Sequence, residues 1–261
     1  MHPCCRVSEA NDLGTGVPGH DSLAAPGDTT RQRARGGDAC ARGKGVKVQR
    51  LRLGVLISGT GRTLANLLRV AAAGELPAEV SVVVSSRRDV PGNQIARDHG
   101  IPLVIVDARE VRGIESFSEA VYRALDEYRV DLVTMAGFLR RILIRPDYRG
   151  RIMNIHPSLL PLFGGKGMYG ERVHQAVLAA GMKVSGCTVH FVNEEYDAGP
   201  IILQACVPVL EDDTPETLAA RVFAEECRLY PEAIRLYASG RLRQEGNRVR
   251  ILPEPDQGSS A

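Results

Sequence analysis

From Leu51 onward the chain alternates short apolar runs with segments whose apolar residues recur every three or four positions. Leu51–Ile57 reads as a strand, and the segment opened by Ser58–Arg62 places Leu64, Leu67, Leu68 and Ala71 on one helical face. Val80–Val84 and Leu103–Val106 read as the next buried strands, with a helix around Gln94–His99 between them. Phe117–Tyr128 carries Val121, Leu125 and Tyr128 at amphipathic spacing, and Asp131–Met135 and Arg151–Ile155 follow as the fourth and fifth strands. Strands separated by helical patterns predict right-handed βαβ crossovers. The expected class is α/β: a Rossmann-like, mostly parallel sheet with helices on both faces.

After His156 the pattern changes. Leu162–Gly170 is a glycine-rich loop, and Glu171–Ala180 a helix ended by Gly181. Val184–Val192 and Pro200–Val209 flank Asn193–Gly199 and predict a long antiparallel pair that extends the sheet. Thr214 caps a helix with Pro215 at its first position and Thr217 in its first turn, running to about Tyr237. Leu242–Ile251 reads as a closing hairpin and Pro253–Ala261 as a frayed tail, so residues 51–252 read as one domain.

Residues 1–50 show no hydrophobic period, carry eight glycines and end in an Arg/Lys/Gly-rich run. They read as a disordered tail, or as a misassigned start whose true beginning lies near Val46. The absence of an apolar h-region argues against a secretory signal, and five acidic residues argue against a transit peptide.

Charge changes the picture once it is divided. Of the 33 Lys and Arg and 31 Asp and Glu, eight and five fall in the first fifty residues, leaving 25 basic and 26 acidic residues in the remainder. That near-neutral body, with no Trp and 5% aromatic residues, argues against a nucleic-acid surface. No apolar run approaches the ~20 residues a membrane span requires. The six cysteines, Cys4, Cys5, Cys40, Cys187, Cys206 and Cys227, lack paired metal-ligand spacing and read as reduced thiols of a cytoplasmic protein. Cys4, Cys5 and Cys40 with His20 are too irregularly spaced for a metal site, and no metal is expected elsewhere.

The densest chemistry lies at Met153–Pro161. On a strand, Asn154 and His156 point the same way and Ile155 the other. Pro157 lacks an N–H and ends the pairing there. An amide donor and an imidazole then emerge together at the carboxyl end of a strand, where open α/β sheets bind ligands. The competing reading is a capped strand end with a hydrogen-bonded histidine. Gly59-Thr60-Gly61-Arg62-Thr63-Leu64 opens the first helix and offers free N–H groups to an anion, or is simply a tight turn. Leu64 stands where the dinucleotide fingerprint has its third glycine, and Ser85-Ser86 brings no acid at the end of the second strand. Asp197, before Ala198-Gly199, fits an ordinary turn as well as a functional carboxylate.

Asn154-Ile-His-Pro-Ser-Leu-Leu-Pro161 resembles the signature of the folate-dependent formyltransferases. Together with Ser58–Gly61, Ala136–Arg140, Thr188–Val192 and Asp197–Ile201 it resembles the phosphoribosylglycinamide formyltransferases over roughly Leu51 to Ile251. The resemblance implies an enzyme of de novo purine synthesis. It would move a formyl group from 10-formyltetrahydrofolate, a co-substrate, to the amine of phosphoribosylglycinamide, as a monomer or homodimer. It implies catalysis by Asn154, His156 and Asp197, with Asp197 facing His156 and His190 as supporting structure. It implies phosphoribosyl contacts at Gly61, Arg62 and Thr63, where many relatives carry Asn in place of Thr63, and at Glu226, otherwise an exposed helix carboxylate. Leu139, Arg140, Arg141 and Ile142 would hold the pterin largely through backbone groups, with Asn154 also touching the folate. A family Arg that meets the folate aligns with Ile114, leaving Arg109 or Arg112 to replace it. Lys166, in a loop either closing over substrate or merely mobile, offers a point charge to phosphate.

Three other readings compete. Formyltetrahydrofolate deformylase adds an N-terminal regulatory domain and usually has His where Pro157 stands. Methionyl-tRNA formyltransferase needs a C-terminal tRNA-binding domain, and the core here is not basic. A non-catalytic nucleotide-binding module explains the glycines at the first strand's end but not Asn154 with His156.

Overall fold

The computed structural model describes residues 50–254. The readings of residues 1–49 and 255–261 lie outside the described residues, including the tail, the start near Val46 and the group of Cys4, Cys5, Cys40 and His20.

Five strands and three helices alternate first: β1 (Leu51–Ile57), α1 (Arg62–Ala72), β2 (Ala78–Ser85), α2 (Pro91–Asp98), β3 (Leu103–Ile105), α3 (Ile114–Glu127), β4 (Leu132–Met135) and β5 (Ile152–His156). Then come α4 (Glu171–Ala179), β6 (Val184–Phe191), β7 (Ile201–Pro208), α5 (Pro215–Ala238), β8 (Leu242–Glu245) and β9 (Arg248–Ile251). One nine-stranded sheet runs in the order β3-β2-β1-β4-β5-β6-β7-β9-β8. Strands β1 to β5 pair in parallel, whereas β5–β6 and β6–β7 pair antiparallel. The α/β architecture and its antiparallel extension agree with the hydrophobic pattern. Among the described residues no helix is long and apolar enough to cross a membrane.

Side-chain alternation divides the interior into two layers. Leu53, Val55 and Ile57 of β1 join Leu64 and Leu67 of α1 and Leu218, Val222 and Ile234 of α5 on one face. Leu56 turns to the opposite face, with Phe117, Val121 and Leu125 of α3. On β5 the same rule puts Met153 and Ile155 in the first layer and Ile152 in the second. Asn154 and His156 therefore share the face of Ile152, as the period of two requires.

Local signals set most of the helix ends. Thr214 and Thr217 form a reciprocal capping box at the start of α5, with Pro215 at the first helical position. Helix α2 starts at Pro91, three residues before the expected segment, because proline at a first turn loses no intrahelical bond. A short 3₁₀ turn at Pro146–Tyr148, absent from the sequence reading, leads into β5. Arg145 there bridges Asp126 of α3 at 2.7 Å and Asp147 at 2.7 Å. The hairpin β8–β9 forms as expected, and its β9 also joins the sheet through a parallel bridge, Ile201 to Arg248.

Candidate active site

The carboxyl ends of β1, β4 and β5 meet on one edge, and β5 supplies the central pair. Asn154 stands opposite His190 on β6, and His156 opposite Thr188, so the four side chains share one face. His156 and His190 are nearly sealed from solvent, at 4% and 2% exposure. Asp197, on the loop between β6 and β7, closes over them with φ of 54°. Its Oδ2 lies 3.5 Å from His156 Nδ1, and its Oδ1 accepts from Asn154 Nδ2 at 3.4 Å. The three residues singled out for catalysis are thus in one place.

His190 gives that group its order. Its Nδ1 lies 2.9 Å from the Phe191 carbonyl, an acceptor, so Nδ1 carries the ring proton. Burial disfavours the charged form of His190, leaving Nε2 as an acceptor for Asn154 Nδ2 at 3.2 Å. This bond sets which way the Asn154 amide points. One Asn154 N–H is thereby spent on His190 and the second is turned toward Asp197. Sequence reasoning placed His190 near the site as support; the bond to Asn154 defines that support.

A pocket opens beside this group, between Arg140–Ile142 and the loop Asn193–Asp197, with Asn154 and His190 at its base. Ile142 is buried and anchors the first wall, whereas Arg140 and Arg141 are exposed. Arg141 ties the walls together by donating to the Glu194 carbonyl at 2.8 Å. Leu139 sits at the rim, 41% exposed, and its N–H is already engaged by Ser58 Oγ at 2.9 Å. Arg109 is committed to Asp107 at 2.6 Å, which leaves Arg112 as the other arginine near Ile114.

The glycine turn before α1 forms a second part of the edge. Gly61 takes φ of 76° and caps α1 without any side-chain hydrogen bond, so the first-turn N–H groups face outward. A Cβ on Gly61 would lie 2.6 Å from the Gly92 Cα, so glycine is required where α1 and α2 start against each other. The Arg62 guanidinium stacks over the Phe223 ring of α5 at 3.8 Å, and Thr63 is half-buried. Glu226, one turn further along α5, is partly buried rather than fully exposed. Burial pushes its carboxyl up to about 7, and the charge of Arg62 draws it back down. Arg62 and Glu226 therefore face one another across α1 and α5. Lys166 is exposed in its loop, with no ion pair among the described residues.

Two contacts escaped sequence reasoning because they are made by main-chain atoms. The Phe163 carbonyl lies 2.8 Å from His156 Nε2, and the Gly165 N–H donates to Asp197 Oδ2 at 2.9 Å.

Residues 51–234 match the formyl transferase family. Phosphoribosylglycinamide formyltransferase of Haemophilus influenzae is 35% identical over 198 residues, 75% of this chain and 91% of the relative. The chloroplastic phosphoribosylglycinamide formyltransferase of Vigna unguiculata is 43% identical over 202 residues, covering 76% of this chain and 64% of that protein. The chain thus spans less than two thirds of the Vigna relative's length. Among solved structures, glycinamide ribonucleotide transformylase 1 from Symbiobacterium toebii superposes with a TM-score of 0.72 at 48% identity, covering 78% of this chain and 95% of that one. The chain belongs to the formyl transferase family, within its phosphoribosylglycinamide formyltransferase branch.

Proposed function

We propose that the chain transfers the formyl group of 10-formyltetrahydrofolate to the primary amine of phosphoribosylglycinamide. The products are formyl-phosphoribosylglycinamide and tetrahydrofolate, in a step of de novo purine synthesis. The observation that carries this reading is the convergence of Asn154, His156 and Asp197 at the end of β5, beside an open pocket.

The chemistry follows from the donors. The amine attacks the formyl carbon, and the carbonyl oxygen gains negative charge as the tetrahedral centre forms. The Asn154 N–H turned toward Asp197 and His156 Nδ1 meet the two Asp197 oxygens only at 3.4 and 3.5 Å, while the other Asn154 N–H stays on His190 and His156 Nε2 on the Phe163 carbonyl. Such long contacts leave both donors free to turn to a stronger acceptor, which the developing oxyanion is. Asp197, facing Nδ1, holds the His156 ring in this orientation. The carbon–nitrogen bond to the folate then breaks; the attacking amine loses a proton and the departing nitrogen gains one, through water.

The wall Arg140–Ile142 would take the pterin, and the α1 turn with Glu226 the phosphoribosyl group, each substrate approaching the Asn154–His156 pair from its own side. The substrates are small molecules, and we place the reaction in the cytoplasm. The plant relative's name places that protein in the chloroplast. A formyl-transfer assay offering phosphoribosylglycinamide, initiator methionyl-tRNA or water as acceptor tests the reading. Formylation of the first alone supports it; formate release with water, or transfer to the tRNA, refutes it.

A further inference from the structure

The turn Phe163–Gly165 touches the Asn154–His156–Asp197 group through main-chain atoms of opposite polarity. A carbonyl oxygen only accepts, so His156 Nε2 bears a proton where it meets Phe163 O at 2.8 Å. The Nδ1 atom faces Asp197 Oδ2 at 3.5 Å, which is again an acceptor. On the other side, the Gly165 N–H supplies a donor to that same carboxylate oxygen. The backbone thus places C=O against a ring N–H and N–H against the carboxylate oxygen, so each side of the pair meets a complementary main-chain group.

We propose that this turn is a positioning bracket: the Phe163 carbonyl anchors His156 through Nε2, so that Nδ1 is the ring nitrogen presented to Asp197 and to the formyl oxygen. Phe163 is then a positioning residue that acts through His156, in the formyl-transfer reaction proposed above. Two features aim the carbonyl. Phe163 holds φ of 54°, in the left-handed region that bulky residues avoid, and its ring packs against the core and keeps it there. Gly164 lets the turn lie against Asp197, since a Cβ there would come within 2.5 Å of Leu160 Cδ2 and 3.2 Å of Asp197 Cβ. The other titratable groups felt by or facing His156 are Asp197, His190 on β6 and His174 on α4. Burial favours the neutral form of both neighbouring histidines, and neither bonds His156 Nε2.

Three substitutions separate the carbonyl from the ring. Phe163→Pro fixes φ near −65°, and Phe163→Val disfavours the left-handed region, whereas Phe163→Gly enters it freely. The Gly variant is the permissive reference, lacking the phenyl group but not the backbone freedom. Relative to Phe163→Gly, turnover in the Pro and Val variants should fall about 10- to 100-fold, the scale of one hydrogen bond to a charged group. Michaelis constants for both substrates should stay within about 2-fold. Phe163→Val carries the test if the proline variant does not fold.

A ¹⁵N spectrum of the histidine-labelled chain without substrates reads the hydrogen bonding of His156 Nε2 directly. At one fixed pH, Phe163→Val should lose the ¹⁵N shift of a hydrogen-bonded His156 Nε2–H that Phe163→Gly retains. That measurement needs no activity. An inactive parent chain would refute the functional reading, while this spectral difference would still support the bracket. Equal turnover and equal spectra in folded Pro, Val and Gly variants overturn it.

Discussion

Glu226→Gln tests the substrate edge through stability as well as rate. Burial holds the Glu226 carboxyl at about 7, against an ordinary value of 4.5. Below pH 4.5 both folded and unfolded chains carry the proton, and the group leaves stability unchanged. Between 4.5 and about 7 the unfolded chain releases a proton that the folded chain retains, so stability falls as pH rises. Above about 7 the deficit is complete. A gap of that size corresponds to about 3 kcal/mol at ~1.4 kcal/mol per pH unit. Partial solvation of the carboxyl brings the expected deficit to about 1–3 kcal/mol. Glutamine keeps the shape and has no proton to lose. The variant should therefore match the parent near pH 4.5 and exceed it by about 2–12 °C in melting temperature at pH 8 to 9, using about 2–4 °C per kcal/mol for a chain of this size. The matching kinetic cost is a higher Michaelis constant for phosphoribosylglycinamide, with the folate constant unaffected. Parallel melting curves from pH 4.5 to 9 give the answer. A difference that does not change with pH, or a less stable variant at pH 8, would refute the buried-carboxyl reasoning.

Arg62→Ala or Thr63→Ala should raise the Michaelis constant for the phosphorylated substrate more than that for the folate, because the α1 turn presents its first N–H groups there; equal effects in steady-state kinetics would mean the turn is misassigned. Tyr230→Phe should lose about 1–3 kcal/mol in urea unfolding. The buried Tyr230 hydroxyl lies 3.1 Å from Met135 O and 2.9 Å from Met153 O, tying α5 to the adjoining strands β4 and β5. An unchanged unfolding midpoint would count against that tie. Asp197→Asn keeps the loop's shape but removes the charge beside His156, so kcat should fall with both Michaelis constants nearly unchanged; an unchanged kcat would detach Asp197 from the histidine.

Long periodic segments made most of this fold readable in advance. The alternation in β1, the spacing of Leu64, Leu67 and Leu68, and the Thr214–Pro215–Thr217 cap each carry their own local signal. The 3₁₀ turn at Pro146–Tyr148 does not, since Arg145 and Tyr148 hold it through Asp126, some twenty residues away. The joining of β9 to β7 also rests on long-range placement, through a single bridge. At the site, the two-residue period was enough to put Asn154 beside His156. It gave no access to the Phe163 carbonyl or the Gly165 N–H, because every residue but proline has both groups and only backbone angles decide where they point. Glu226 was located by resemblance, but its burial against α1 depends on how α5 crosses the sheet, which periodicity does not determine.

The most direct test of the central claim is turnover of the His156→Ala chain with 10-formyltetrahydrofolate and phosphoribosylglycinamide, its folding checked by melting temperature. Loss of one oxyanion donor costs about 100- to 1,000-fold in turnover, and this variant loses a charge as well. We predict a fall of at least about 100-fold in kcat, with both Michaelis constants nearly unchanged, because the donor acts on charge that exists only in the transition state. A folded His156→Ala chain that turns over at close to the parent rate would contradict the account.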